Sequence, residues 1–121
     1  MGSTRRSVVE LGLLALAVYG AMQWWTGHRD DRDAAALAAA ARPGDIVMLS
    51  SASCVYCERA RHWLTANRVA FSECFIESDA TCAARYQAAG AAGTPTLLVR
   101  GQRQLGFSAS AVAQALQAPL R

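Results

Sequence analysis

The chain has 121 residues, 53% of them hydrophobic and 17% charged, with a formal net charge of +3. That length suits one folded unit with a short extension, not two independent cores, and the apolar content excludes a disordered chain. All 12 basic residues are arginine, five against four acids in residues 1–43 and seven against five in residues 44–121, so no basic stripe exists to displace phosphate counterions and nucleic-acid binding is excluded.

The amino end reads as a membrane-directed segment covering residues 1–26. Arg5 and Arg6 precede Val8, Val9 and a single Glu10, then the uninterrupted run Leu11 to Met22, then Trp24 and Trp25. From Val8 to Trp25 there are 18 residues, about the minimum for crossing a hydrocarbon layer of roughly 30 Å. Glu10 falls near one interface, and the two tryptophans form an aromatic belt at the other. The uncharged run proper also fits the core of a cleaved signal peptide, although bulky Gln23, Trp24 and Trp25 replace a small-x-small cleavage site. The segment is apolar all round, unlike a one-sided core helix. Arg5 and Arg6 on one side nearly balance Arg29 and Arg32 on the other, so charge alone does not fix orientation.

Residues 27–44 read as a linker: a polar joint from His28 to Asp33, an alanine-rich helix from Ala34 to Ala41 with little to bury, and a stop at Pro43 and Gly44. The folded domain is expected over residues 45–121. Ile46 to Leu49 form a continuous apolar strand. A helix follows from about Val55 to Asn67, with Trp63 and Leu64 on its core face and Glu58, Arg59, Arg61 and His62 towards solvent. A second strand spans about Val69 to Ile76, and a second helix about Ala80 to Ala89, capped by Asp79. Two strands, Thr96 to Arg100 and Arg103 to Phe107, flank the tight pair Gly101 and Gln102, and a last helix runs from Ser108 or Ala109 to Gln117. The resulting βαβαββα order predicts an α/β fold with a four-stranded mixed sheet in the order 2-1-3-4.

Chemistry concentrates at Cys54 and Cys57, which follow the first strand and open the first helix of the domain. Two intervening residues let the thiols close a disulfide with little backbone movement, so both redox states fit one fold. Unpaired N–H groups and the positive dipole end of the helix stabilise a thiolate, moving Cys54 from about 8.5 into the range of roughly 3.5 to 7.5. Cys54, first and more exposed, is the candidate nucleophile, and Cys57, a turn further in, the resolving thiol. Zinc is disfavoured because no second C-x-x-C or H-x-x-x-H accompanies the pair, so no metal site is expected. Tyr56 fits equally at the edge of a substrate groove or packed against the helix. Cys74 and Cys82 have a separation compatible with a structural disulfide, with two buried thiols, or with a redox sensor.

These features resemble the glutaredoxins of the thioredoxin superfamily, over about Asp45 to Gln117. Ser53-Cys54-Val55-Tyr56-Cys57 is similar to the family's C-P-Y-C site, with Val55 in place of proline. Gly93-Thr94-Pro95-Thr96, ahead of the third strand, resembles the family's cis-proline turn, which implies a cis Thr94-Pro95 bond facing the dithiol and pairing of the Thr94 backbone with the incoming disulfide. Gly106-Phe107-Ser108 resembles the segment with which glutaredoxins hold the glutathione carboxylate. Many glutaredoxins also carry a lysine before the dithiol and two aspartates after the glycine turn, where this chain has Ser50 and Ser51, and Ala109 and Ser110. The Gly106-Phe107 pair is closer to the glutaredoxin-like redoxins that serve ribonucleotide reductase and take electrons from a flavoprotein. Loss of the proline at Val55 also occurs in glutaredoxins that share a two-iron cluster between subunits, with glutathione completing the ligands.

The resemblance implies a thiol-disulfide oxidoreductase acting on protein disulfides or glutathione mixed disulfides, and the apolar amino-terminal segment implies that it is held to a lipid bilayer. Tyr56, Thr94, Pro95, Gly106 and Phe107 are its expected substrate-binding residues. No cofactor is required, and the electron donor is either glutathione as a co-substrate or a flavoprotein reductase. A short basic start before a lone anchor and the extra cysteine pair suit a domain on the periplasmic or extracytoplasmic side. The alternative is a non-catalytic module whose groove docks a partner or an iron-sulfur cluster.

Overall fold

The computed structural model describes residues 2–119, which form α1 (Gly2–Ala40), β1 (Ile46–Ser50), α2 (Val55–Ala66), β2 (Ser72–Phe75), α3 (Ala80–Ala88), β3 (Thr96–Val99), β4 (Gln102–Leu105) and α4 (Ala109–Gln117). Two compact units divide the chain, one up to Arg32 and one from Asp33 onward. The first is helix alone, and its large apolar side chains from Val8 to Trp25 are exposed, as lipid-facing residues would be. By length and composition α1 can cross a membrane, and a signal segment has the same character. The polar joint expected around Gly27 to Asp33 is helical instead. One glycine costs a helix only about 1 kcal/mol relative to alanine, and the alanine-rich stretch that follows favours continuation.

In the second unit the alanine-rich end of α1 is more than a spacer. Leu37, its one large side chain, is fully buried in a core with Ile46, Met48, Leu64, Leu97, Val99 and Val112. Packing therefore begins upstream of Asp45. The sheet runs in the order β2-β1-β3-β4, with β1 and β2 parallel and the other pairings antiparallel. Ile46 sits opposite Val99 and Met48 opposite Leu97, giving that core one apolar sheet face. Leu49, opposite Cys74, points to the other face, where Cys82 of α3 is bonded to Cys74.

Three boundaries shift for local reasons. The second strand starts at Ser72 rather than Val69, because residues 67–69 wrap the end of α2: Arg68 has φ 55°, and the Val69 N–H donates to the Leu64 carbonyl at 3.0 Å. Val99 pairs with Gln102, so the hairpin turn is Arg100 and Gly101, both at positive φ (48° and 84°), as a two-residue turn between twisted strands requires. The fourth strand stops at Leu105, and Phe107 turns inward past Gly106 to pack on Trp63, ring centroids 5.2 Å apart. Arg61 also departs from a purely solvated role. Its guanidinium bonds both oxygens of Glu73 (2.6 and 3.0 Å), and Glu73 accepts the hydroxyl of buried Ser50 at 2.7 Å.

Candidate active site

β1 ends at Ser50, and the short loop that follows delivers Cys54 to the start of α2, where it is the N-cap residue with extended backbone angles (φ −109°, ψ 106°). The Cys57 N–H donates to Cys54 Sγ at 3.1 Å, so a cysteine sulfur fills the place a serine or aspartate oxygen takes at other helix starts. This N–H and the positive dipole end of α2 are both aimed at the Cys54 sulfur. Cys54 and Cys57 are joined as a disulfide, with Cα atoms 5.2 Å apart. Cys57 is fully buried and Cys54 half-buried.

The turn before β3 closes the other side. Cys54 Sγ lies 3.5 Å from the Thr94 carbonyl oxygen, the Thr94–Pro95 peptide is cis, and Pro95 is buried. The Thr96 hydroxyl donates to the Gly93 carbonyl at 2.6 Å, and the Gly106 N–H donates to the Pro95 carbonyl at 2.8 Å, tying this turn to the end of β4.

A groove of about 460 Å³ opens beside the pair, with Tyr56, Thr94, Pro95, Gly106 and Phe107 in its lining. All five residues expected around a substrate are thus brought together. Tyr56 is 65% exposed and lines the groove. Arg59, Ala60, Trp63 and Leu105 complete the wall, none of them among the residues expected at the groove. A signal existed for two of them: Tyr56, Arg59 and Trp63 recur at helical spacing and share one face of α2. The Arg59 guanidinium lies over the Tyr56 ring, 5.7 Å from its centroid, so this groove is apolar with one cationic edge.

Of the titrating groups with perturbed values, Glu77 is the one bonded to the loop that leads to Cys54. The Ser51 hydroxyl holds Glu77 below its ordinary value, helped by backbone N–H groups that include Ala52. Asp45, before β1, is lowered by the Arg42 N–H and by Arg100, 3.4 Å away. Arg61 is raised by its bonds to Glu73. Among the described residues no three His, Cys, Asp or Glu side chains converge as a metal-binding group.

Residues 46–104 match the family model for glutaredoxin. The chain carries a glutaredoxin-family domain. Among solved structures, this glutaredoxin domain is similar to the thioredoxin-like protein BC3987, 25% identical with a TM-score of 0.51, over 58% of this chain and 97% of that one. It also resembles the glutaredoxin from Methanosarcina mazei Go1, 18% identical with a TM-score of 0.51, over 60% and 78% of the two chains, a likeness of fold alone. No curated protein matches significantly. The glutaredoxin domain thus has the thioredoxin-like α/β fold of thiol-disulfide oxidoreductases, with its C-x-x-C pair at disulfide distance.

Proposed function

We propose that the protein is a membrane-anchored thiol-disulfide oxidoreductase that reduces or exchanges disulfides of proteins, or mixed disulfides of glutathione, through Cys54 and Cys57. The observation that carries this reading is Cys54 Sγ, half-buried at the start of α2, 3.1 Å from the Cys57 N–H and 3.5 Å from the Thr94 carbonyl, beside an open groove.

The chemistry balances as two exchanges. The Cys54 thiolate attacks one sulfur of the substrate disulfide; a new S–S bond forms to Cys54 and the other substrate sulfur leaves as a thiolate that takes a proton from water. Cys57 then loses its proton and attacks Cys54 Sγ, releasing the second substrate thiol and closing the Cys54–Cys57 bond. Two electrons have passed from the pair to the substrate. A thiol donor, glutathione or the dithiol of a flavoprotein reductase, returns them. The Thr94 backbone and Pro95 align the substrate chain, and Tyr56, Gly106 and Phe107 give it an apolar wall. The sulfur atoms of the pair, the substrate and the thiol donor carry all the chemistry, and the reaction as written uses no resident cofactor.

Arg5 and Arg6 ahead of the apolar run, and a second cysteine pair in the domain, support an inside amino terminus with the domain on the extracytoplasmic side. A reporter active in only one compartment, fused to the carboxyl end, tests the placement; activity only in the cytoplasm contradicts it. Turnover is tested on the full chain in detergent, following reduction of a small mixed disulfide with glutathione or a thioredoxin reductase as donor. The expected result is turnover abolished by Cys54→Ser; equal rates in the two proteins would instead favour a non-catalytic binding module.

A further inference from the structure

Glu77 lies in the middle of the ring that the Cys74–Cys82 bond closes, between the end of β2 and the start of α3. Its carboxylate accepts the Ser51 hydroxyl and the Ala52 N–H, the latter 3.2 and 3.3 Å from its two oxygens. Ser51 and Ala52 belong to the short loop that ends at Cys54. Around Glu77 the ring is fixed on three sides. The Ile76 N–H donates to the Ser50 carbonyl at 3.0 Å, the Phe75 carbonyl accepts from Ser78 and Asp79, and the Asp79 side chain caps α3 by accepting the Cys82 N–H at 3.0 Å. The second cysteine pair and the loop that presents the first are therefore joined by one carboxylate.

We propose that Glu77 is a positioning residue for Cys54, held in place by the Cys74–Cys82 disulfide, so that the second cysteine pair sets the reactivity of the first. This rests on the reading of Cys54 as the attacking thiol. The Cys57 N–H stabilises the Cys54 thiolate only while the sulfur stays where it now accepts that bond. A loop freed at Ser51 and Ala52 samples other positions, and the thiolate loses part of its donor. The sign of the effect separates position from charge. Removing a nearby negative charge by itself makes a thiolate easier to form, whereas removing a tether makes it harder. A glutamine keeps the accepting oxygen and discards the charge.

The test is the pH dependence of Cys54 alkylation in the full chain in detergent, with the Cys54–Cys57 pair reduced. Glu77→Ala is expected to raise the alkylation midpoint by about half to one pH unit, slowing reaction at a fixed pH below the midpoint roughly threefold to tenfold, as for loss of one hydrogen bond. Glu77→Gln is expected to keep the midpoint of the unsubstituted chain or to lie slightly below it. Joint Cys74→Ser and Cys82→Ser substitution should raise it as Glu77→Ala does, and adding Glu77→Ala to that background should do nothing more. The inference is overturned if Glu77→Ala leaves the midpoint unmoved, if alanine and glutamine shift it equally, or if the disulfide and Glu77 effects simply add. A Cys54 of ordinary thiol reactivity in the unsubstituted chain overturns the proposed function, and this inference with it; a reactive Cys54 indifferent to Glu77→Ala overturns this inference alone.

Discussion

Leu37 offers the sharpest test of where the folded unit begins. Its side chain is fully buried in the core cluster that includes Ile46, Leu64, Leu97 and Val112, although it belongs to the same helix as the apolar amino-terminal run. Burying a leucine contributes about 1.5 to 3 kcal/mol through the area it removes from water, and the gap left by truncation raises the cost of Leu→Ala to about 3 to 4 kcal/mol. Total stabilities are about 5 to 15 kcal/mol, so the loss is a large fraction of the whole. At about 4 to 8 °C per kcal/mol for a domain of this size, Leu37→Ala should lower Tm by about 12 to 30 °C. A fragment covering 33–121 suits the assay, because it leaves Trp63 as the single tryptophan, in contact with Phe107. Denaturant unfolding followed by that fluorescence should show Leu37→Ala well below its parent, and a fragment covering 43–121 at least as far below. Values within about 0.5 kcal/mol of the parent would instead make the end of α1 a tether that adds nothing to the core.

Further outcomes follow from other contacts. Glu73→Ala leaves the Arg61 guanidinium and the buried Ser50 hydroxyl without their acceptor and should cost about 1 to 3 kcal/mol in the same unfolding assay; a neutral result would contradict the network. The folded-state value of Asp45 is lowered, so its contribution is present above the ordinary carboxylate value of 3.8 and is lost as pH falls through the lower folded one. Unfolding midpoints should therefore decline on acidification below about pH 4, and Asp45→Asn should lower stability at neutral pH and flatten that acid limb; an unchanged acid limb would count against the Arg42 and Arg100 contacts. Gly90 has φ 97°, a left-handed conformation in which a side chain is strained, so Gly90→Ala should cost about 1 to 2 kcal/mol, measured as a fall in Tm. Cys57→Ser should leave the intermediate unresolved, so that intact-mass measurement after exposure to a mixed disulfide finds an adduct on Cys54; a chain free of adduct would remove Cys57 from the resolving role.

The sequence carried the element order and the sheet order because its signals are local: an apolar run at Ile46 to Leu49, a cap at Asp79, a turn at Gly101, breakers at Pro43 and Pro119. The groove was legible through three separate segments, around Tyr56, around Pro95 and around Phe107, whose resemblance to one family brought them together. What escaped was set by partners distant in the chain. Nothing near Leu37 announces that one leucine among alanines will be buried, because the core it joins is built by residues of β1, α2, β3 and α4. Arg61 reads as a solvent-facing charge until Glu73, brought alongside by the parallel pairing of β1 and β2, is seen to meet it. Glu77 has no local signal at all, since its partners Ser51 and Ala52 lie across the β1–β2 pair. Strand two was overextended because Val69 to Phe71 have strand-like composition, yet Arg68 and Val69 complete the turn that ends α2.

Whether the start of α2 makes Cys54 a thiolate near neutral pH is read from the pH profile of its alkylation in the full-length chain with the Cys54–Cys57 pair reduced, and with Cys54→Ser as the blank. The expectation is a midpoint well below that of a free cysteine, absent from the blank. A midpoint near that of a free cysteine, about 8.5, would contradict it.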